Sequence, residues 1–462
     1  MNPLFNPLFQ TKIMRDYIFN IDRIRNKTEE ENERYRNLLL IKIVKQAYQV
    51  PIYLKKFKEV KLSPSDIKTI NDISKIPIIT KNDFRKANIN DLIPEKKKLD
   101  GYFRVSTSGS SGQPISIYSS PYTIFKTFFG FIRIIREHGI NWRKSKMIII
   151  ADLSPGVAEQ VYFSSKSYSY IKKIFSLDNI KVFHVGEKPE ELLKKIEIFN
   201  PEFIGGYPGI LKILAIIKRK KKDNGFSPRI IATSGAILDK YSRNYIENTF
   251  KTKIFDVYGA TECSPIAFQC KKGNYHVNFD LVNLEFINPI EKENQSGDGG
   301  NIIVTRLFGE GTPIIRYTGI TDYLVPSKRK CNCGLNTPLI ERIDGRRADS
   351  IILPSGEIVP PLSFTAIPHS VMLRLGTDII QQFQIIQQKI DEIDIYVVLV
   401  QQISKKEPSK EIIFKELRKE FIKNFGDDIK INIIQVDKIK TSRDNSATPP
   451  PVVISRVAKE LI

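Results

Sequence analysis

The sequence predicts an α/β protein. It has a large N-terminal region with doubly wound, mostly parallel sheets, a β-rich stretch after it, and a small α+β unit at the C-terminal end. Three observations carry this. From Tyr122 onward, short apolar runs alternate with helical segments of roughly 10–15 residues, the signature of strand–helix–strand crossovers. Residues 277–325 then turn β-rich. Past Asp344-Gly345-Arg346 the alternation changes again, which divides the chain into 1–345 and 346–462.

The elements follow in order. Residues 30–60 read as helix, with apolar positions at Leu38, Leu39, Ile41, Ile43 and Val44 and a break at Pro51. Ser63–Asp66 and Ile76–Thr80 mark loops. The amphipathic segment Tyr122–Glu137 precedes the apolar run Met147–Ala151. After Ser164–Phe175 come Lys181–His184, Pro189–Phe199, Glu202–Gly205, Pro208–Lys221, Arg229–Thr233, Lys240–Phe250 and Ile254–Val257. In the β-rich stretch Asn301–Thr305 reads as a strand, with a turn at Gly297–Gly300. At the C-terminal end Asp378–Gln388, Ile393–Val400 and Lys430–Val436 read as strands. Lys410–Phe425 reads as a helix stopped by Gly426.

Composition bounds the function. The 462 residues are 41% hydrophobic, enough for a substantial core. No apolar run reaches the roughly 18 residues that span a bilayer, so no membrane span is expected. The N-terminal stretch has neither a basic n-region nor a hydrophobic core for cleavage, so a cytoplasmic protein is expected. The formal net charge is +21, yet lysines are spread among carboxylates along the whole chain. Only Lys96–Lys98 and Lys218–Lys222 form runs, and the second reads as the solvated end of a helix. No nucleic-acid-binding motif accompanies them, so no specific nucleic-acid partner is expected.

Three places can bear chemistry. Thr107–Pro114 reads TSGSSGQP. Its small and hydroxylated residues free backbone N–H groups to cradle an anion, with added donors from Thr107, Ser108, Ser110 and Ser111. A flexible Ser/Gly loop is the other reading. It is not a Walker loop, because Gln113 stands where a lysine is expected. Ser234-Gly235-Ala236 and Tyr258-Gly259-Ala260-Thr261-Glu262 each follow a predicted strand, where open α/β sheets bind ligands.

The third place is a set of thiols. Cys331-Asn-Cys333 is too tight for an ordinary disulfide loop, and Cys270 precedes His276 at a short spacing. Together Cys270, His276, Cys331 and Cys333 make a Cys₃His set suited to a closed structural Zn²⁺ site. Four unrelated reduced cysteines and a surface histidine are the alternative. Cys263, beside Glu262, is not assigned to the metal. The other histidines, His138, His184 and His369, read as structural.

In order and spacing, TSGSSGQP, YGATE and RIDGRRADS resemble the adenylate-forming (acyl-CoA synthetase) superfamily. VPIYLKKF, DISKIPIITKNDFRK, GGYPGIL, ATSGAIL and TPIIRYTG resemble its phenylacetate–CoA ligase-like branch. The resemblance implies an adenylating domain over 1–345 and a small mobile domain over 346–462. It implies ATP and Mg²⁺, a carboxylic acid activated as acyl-AMP, and a CoA, amine or carrier-protein acceptor. Thr107, Ser108, Gly109, Ser110, Ser111 and Gly112 would hold phosphate. Ser234, Gly235 and Ala236 would border the adenine, and Tyr258 with Gly259 and Thr261 would lie beside the nucleotide. Glu262 would bind Mg²⁺, Arg346 would reach the nucleotide, and Asp349 would mark the hinge. Thr107, Glu262 and Arg346 would be the catalytic set. The acid pocket would draw on Phe203–Pro208, Ala232–Ala236 and Ile266–Gln269, moderately apolar segments compatible with an aryl or short acyl group. A few members of the branch carry the same C-x5-H…C-x-C arrangement. A homodimer is compatible with all of this.

Two departures stand out. The ribose-binding aspartate of the family falls at Thr321, counted from Arg316, so Asp322 is the candidate, one residue later. Near the C-terminal end the family's lysine is replaced by Ser446 or Pro449, depending on the register. Lys438 and Lys440 lie earlier. A non-catalytic nucleotide- or acyl-AMP-binding protein therefore stands beside the enzyme as an alternative.

Overall fold

A computed structural model describes residues 6–106, 115–155, 157–163, 176–221, 225–287, 299–346, 350–365, 367–377, 379–399, 408–439 and 452–457. Two helices, Glu29–Ala47 and Pro51–Glu59, occupy the stretch read as helical over 30–60, with the expected break at Pro51. Thr28 starts the first with a capping box closed by Glu31, and Pro51 opens the second at a position where its missing N–H is not needed.

Strands β1 (Phe103–Ser106) and β2 (Ser116–Ser119) form a small antiparallel ladder on either side of residues 107–114. The helix Pro121–Glu137 then leads into one large sheet. Its parallel part comprises β3 (Met147–Ala151), β4 (Ile180–His184), β5 (Phe203–Gly206), β6 (Ile230–Ser234) and β7 (Ile254–Ala260). The helices Pro189–Phe199, Pro208–Lys220 and Lys240–Phe250 connect them, as the alternation predicts. The β-rich stretch continues the same sheet. β8 (Ser264–Gln269), β9 (Tyr275–Val277), β10 (Val282–Ile287), β11 (Gly300–Arg306), β12 (Asp322–Ser327) and β13 (Leu339–Arg346) add antiparallel strands. The order is β10-β11-β12-β13-β9-β8-β7-β6-β5-β3-β4, eleven strands in all. The parallel sheet read from the sequence is thus one half of a mixed sheet.

The chain reverses its direction of sheet growth between β3 and β5, because β4 lies outside β3 while β5, β6 and β7 build the other way. A crevice at the carboxyl ends of strands about such a switch point is where α/β sheets take ligands.

Beyond β13, β14 (Ile351–Ile352) and β15 (Ile358–Val359) form a hairpin. A second sheet follows in the order β18-β17-β16-β19, from β16 (Ile380–Lys389), β17 (Glu392–Leu399), β18 (Lys430–Gln435) and β19 (Val453–Ser455). The helix Lys410–Phe425 packs on it through Ile413, Leu417 and Phe421, and these join Ile385, Ile393 and Ile395 in a separate core. Gly345, near the end of β13, has a φ of 82°, and a Cβ there would lie 2.6 Å from Cδ1 of Ile237.

One surface expectation changes. Lys218 does not belong to a solvated helix end: it is buried, with Nζ 4.5 Å from the Phe226 ring centroid. The helix turns this position onto the core, so the aliphatic stem packs and the ammonium faces a π cloud.

Candidate active site

The carboxyl ends of β5, β6 and β7 bring three sequence segments together. Ser234 closes β6 and donates its hydroxyl to the carbonyl of Val257 at 2.8 Å, which ties the two strand ends. Gly235 follows with a φ of 81°, and a Cβ there would sit 2.6 Å from Cε1 of Tyr207. A side chain is therefore excluded on both conformational and packing grounds. Tyr207, just past β5, donates its hydroxyl to Glu159 at 2.6 Å. Burial pushes the Glu159 carboxyl above the usual carboxylate range, against the pull of this hydrogen bond. The sequence marked Phe203–Pro208 as apolar pocket wall. Glu159 went unmarked because a lone carboxylate in a helix carries no signal until its partner, 48 positions away, is seen.

At the end of β7, Tyr258 donates to Asp322 Oδ2 at 2.7 Å. Asp322 opens β12, where its register partner on β13 is Arg346. The one-residue departure therefore leaves Asp322 beside the aromatic ring of the Tyr258-Gly259-Ala260-Thr261-Glu262 segment. Glu262 is only 6% exposed. Tyr317 donates its hydroxyl to Glu262 Oε1 at 3.1 Å, and Arg306 donates from Nη1 to the Glu262 carbonyl at 2.9 Å. Burial first, then the Glu262 charge, drives the Tyr317 hydroxyl far above its usual pKa. Cys263 is fully buried and packs in the core, with its thiol pushed up by desolvation. Tyr317 and Arg306 are functional candidates that the sequence reading missed. A fixed, partly desolvated carboxylate of this kind fits Mg²⁺, a hard cation that favours oxygen ligands.

The Cys₃His set closes in space. Ligand atoms of Cys270, His276, Cys331 and Cys333 all lie within 4.8 Å of one another. The Cys270 and Cys331 sulfurs are 3.8 Å apart, and Cys333 Sγ lies 3.3 Å from His276 Nε2. Tetrahedral Zn²⁺ with bonds of about 2.0–2.3 Å spaces its ligands by roughly 3.5–3.8 Å, so the donors fit that ion. His276 Nδ1 lies 2.8 Å from Thr337 Oγ1, which leaves Nε2 as the ligand atom. Asn274 Nδ2 donates to Cys331 Sγ at 3.2 Å.

Other sequence-predicted positions fall differently. Thr107, Ser108, Gly109, Ser110, Ser111 and Gly112 lie outside the described residues, as do Asp349, Lys440, Ser446 and Pro449. Arg346 is placed only as part of β13. Lys438 is exposed just after β18. Of the expected pocket segments, Ile266, Ala267 and Phe268 are fully buried core on β8. Gln269 is committed to Arg243, to the Asp256 amide and to His138. His138 stacks on Phe255, and His184 accepts from the Leu153 amide at 3.0 Å, so both are structural.

Comparison with known proteins finds chains similar in sequence and in fold. A family described as the CapK C-terminal domain matches residues 356–445. Protein CapK of Staphylococcus aureus is 25% identical over 379 residues, covering 81% of this chain and 79% of that protein. A phenylacetate–coenzyme A ligase of Escherichia coli is 22% identical over 351 residues, covering 74% and 77%. Among solved structures, 2-hydroxyisobutyryl-CoA ligase in the postadenylation state with 2-HIB-AMP superposes with a TM-score of 0.75 at 18% identity, covering 95% of this chain and 93% of that one. In sheet topology the chain shares the fold of 2-hydroxyisobutyryl-CoA ligase, and over most of its length it is similar in sequence to Protein CapK and to phenylacetate–coenzyme A ligase. These likenesses support the resemblance to the adenylate-forming superfamily and its phenylacetate–CoA ligase-like branch.

Proposed function

We propose that this protein is a carboxylate-activating ligase. It would join a carboxylic acid to the α-phosphate of ATP as an acyl-adenylate, with loss of pyrophosphate, and pass the acyl group to a thiol, with CoA as the default acceptor, or to an amine. The observation that carries the reading is the placement of Glu262 at the end of β7, fixed by Tyr317, with the Tyr258–Asp322 pair close by in sequence and sheet. Two relatives that cover 74% and 70% of the chain are named phenylacetate–coenzyme A ligases, which favours catalysis over a nucleotide-binding role alone.

Glu262 would hold Mg²⁺, which when bound offsets the negative charge of the phosphates. Tyr258 and Asp322 would orient the nucleoside, the carboxylate accepting from ribose hydroxyls. The Gly235 segment would let the adenine approach the backbone closely. Thr107–Gly112 would donate to phosphate, and Arg346 would meet the nucleotide as the C-terminal unit rotates about residues near 345–349. Cys270, His276, Cys331 and Cys333 would hold a structural Zn²⁺ away from the reacting atoms, and reduced thiols suit a cytoplasmic setting. ATP–pyrophosphate exchange over a panel of aryl and short-chain acids tests the reading. Acid-dependent exchange is the expected result, and ATP binding without exchange for any acid would overturn it.

A further inference from the structure

Glu262 is held from two directions, and each hold has a distinct donor. Tyr317 is fully buried, and its hydroxyl is fixed by packing as well as by bonding. Phe84 meets its ring edge-on at 5.5 Å, and a Cβ on Gly319 would come within 2.0 Å of the hydroxyl oxygen. Its backbone exchanges hydrogen bonds with Val304 at 2.9 and 3.0 Å. The phenol therefore cannot swing away from the carboxylate. Arg306, at the end of β11, holds the main chain instead. Its Nη1 donates to the Glu262 carbonyl at 2.9 Å and its Nη2 to the Thr312 carbonyl at 2.8 Å. Both acceptors are neutral carbonyls, so these bonds anchor the guanidinium without cancelling its charge.

We propose that Tyr317 and Arg306 are positioning residues that preset Glu262 for the divalent cation accompanying the nucleotide. This rests on the reading of Glu262 as the Mg²⁺-facing carboxylate. Mg²⁺ demands near-ideal octahedral geometry and gives up water reluctantly, so it rewards a ligand whose position is settled beforehand. The hydroxyl engages one carboxylate oxygen, and an ionised carboxylate has acceptor capacity beyond a single bond. Arg306 also places a desolvated positive charge behind the segment.

The test is a calorimetric ATP titration of the full chain at a series of Mg²⁺ concentrations, on Tyr317→Phe, Glu262→Gln and the double variant. Tyr317→Phe keeps the ring packing and removes the donor. It is expected to raise the Mg²⁺ concentration for half-maximal ATP affinity by about 10-fold, the scale of one hydrogen bond to a charged group. ATP affinity in EDTA should not move. In the Glu262→Gln background the second substitution should add nothing. An unchanged Mg²⁺ dependence in Tyr317→Phe, or equal effects with and without Glu262, overturns the proposal. If Tyr317→Phe does not fold, Arg306→Lys reads the main-chain hold in the same titration: a several-fold Mg²⁺ shift supports the proposal, and no shift overturns it. Wild-type protein that binds ATP with Mg²⁺ but exchanges pyrophosphate with no acid would sink the ligase reading and leave this brace standing.

Discussion

Glu262 and His138 show how burial sets the behaviour of single side chains in opposite ways. Glu262 is buried but bonded, and its proposed work needs the charge. Glu262→Gln keeps the shape and the Tyr317 contact while removing that charge, so pyrophosphate exchange should fall by about 10²–10³-fold with little change in melting temperature, the loss typical of one lost transition-state contact. His138 lies against Phe255 with ring centroids 3.7 Å apart, and burial pushes its pKa down to about 4. The native state therefore keeps it neutral where the unfolded chain, titrating near 6.5, takes up a proton. Stability is intact above pH about 6.5 and falls as the pH drops toward 4, by about 2 kcal/mol between pH 7 and pH 5. Urea midpoints at the two pH values measure this. His138→Gln should shrink the difference by about that amount, leaving the part that comes from His276, which burial also pushes down to about 4.

At the scale of elements, the turn after β6 and the Cys₃His cluster are the places where one change would be felt by several strands. Gly235→Ala forces a side chain into a left-handed turn and against Tyr207, so it should cost about 1–2 kcal/mol in stability and weaken ATP binding, both readable by thermal shift with and without nucleotide. The cluster joins the end of β8 and β9 to the segment before β13. Metal analysis should find one zinc per chain, and chelation or Cys331→Ser should lower the melting temperature by several degrees, since a structural zinc contributes directly to folding. These elements were unequally legible in the sequence. The thiol set could be read because its spacing is short and its chemistry narrow. The strands after Tyr258 could be read as β-rich, but alternation within a segment does not say which sheet it joins, and they extended the parallel one. The brace on Glu262 was not legible, because Tyr317 and Arg306 are ordinary residues until the sheet brings β7 and β11 to the same point. Lys218 was misread for a related reason: a charge run at a helix end gives no sign of which turn faces inward.

For the whole molecule, a net charge of +21 raises the question of polyanions. Many cations are already engaged, as in Arg133 with Asp280, Arg316 with Glu285 and Arg374 with Glu416 and Glu420. Duplex DNA should therefore bind no tighter than the nonspecific range of roughly 10⁻⁴–10⁻⁶ M at physiological salt, with a steep salt slope in a fluorescence titration. The described residues contain no helix long and apolar enough to cross a membrane. The large sheet carries two apolar cores, one running up to Ile343 and one around Ile148, Leu211 and Ile246. The C-terminal sheet has its own, beginning at Ile351, which is the arrangement a moving C-terminal unit would need.

The space beside Gly345, where a Cβ would lie 2.6 Å from Cδ1 of Ile237, would bear on such a movement. Ile237 directly follows the Ser234–Ala236 turn, and Gly345 lies where the chain leaves the large sheet. A rotation there would press on, or release, the turn proposed to border the adenine. Thermodynamic linkage makes the effect mutual: whatever free energy nucleotide occupancy adds to one orientation of the C-terminal unit, that orientation returns as nucleotide affinity. A bulkier side chain at 345 would then act as a wedge, shifting the orientation and the affinity together, so that one substitution far from the phosphates would tune both.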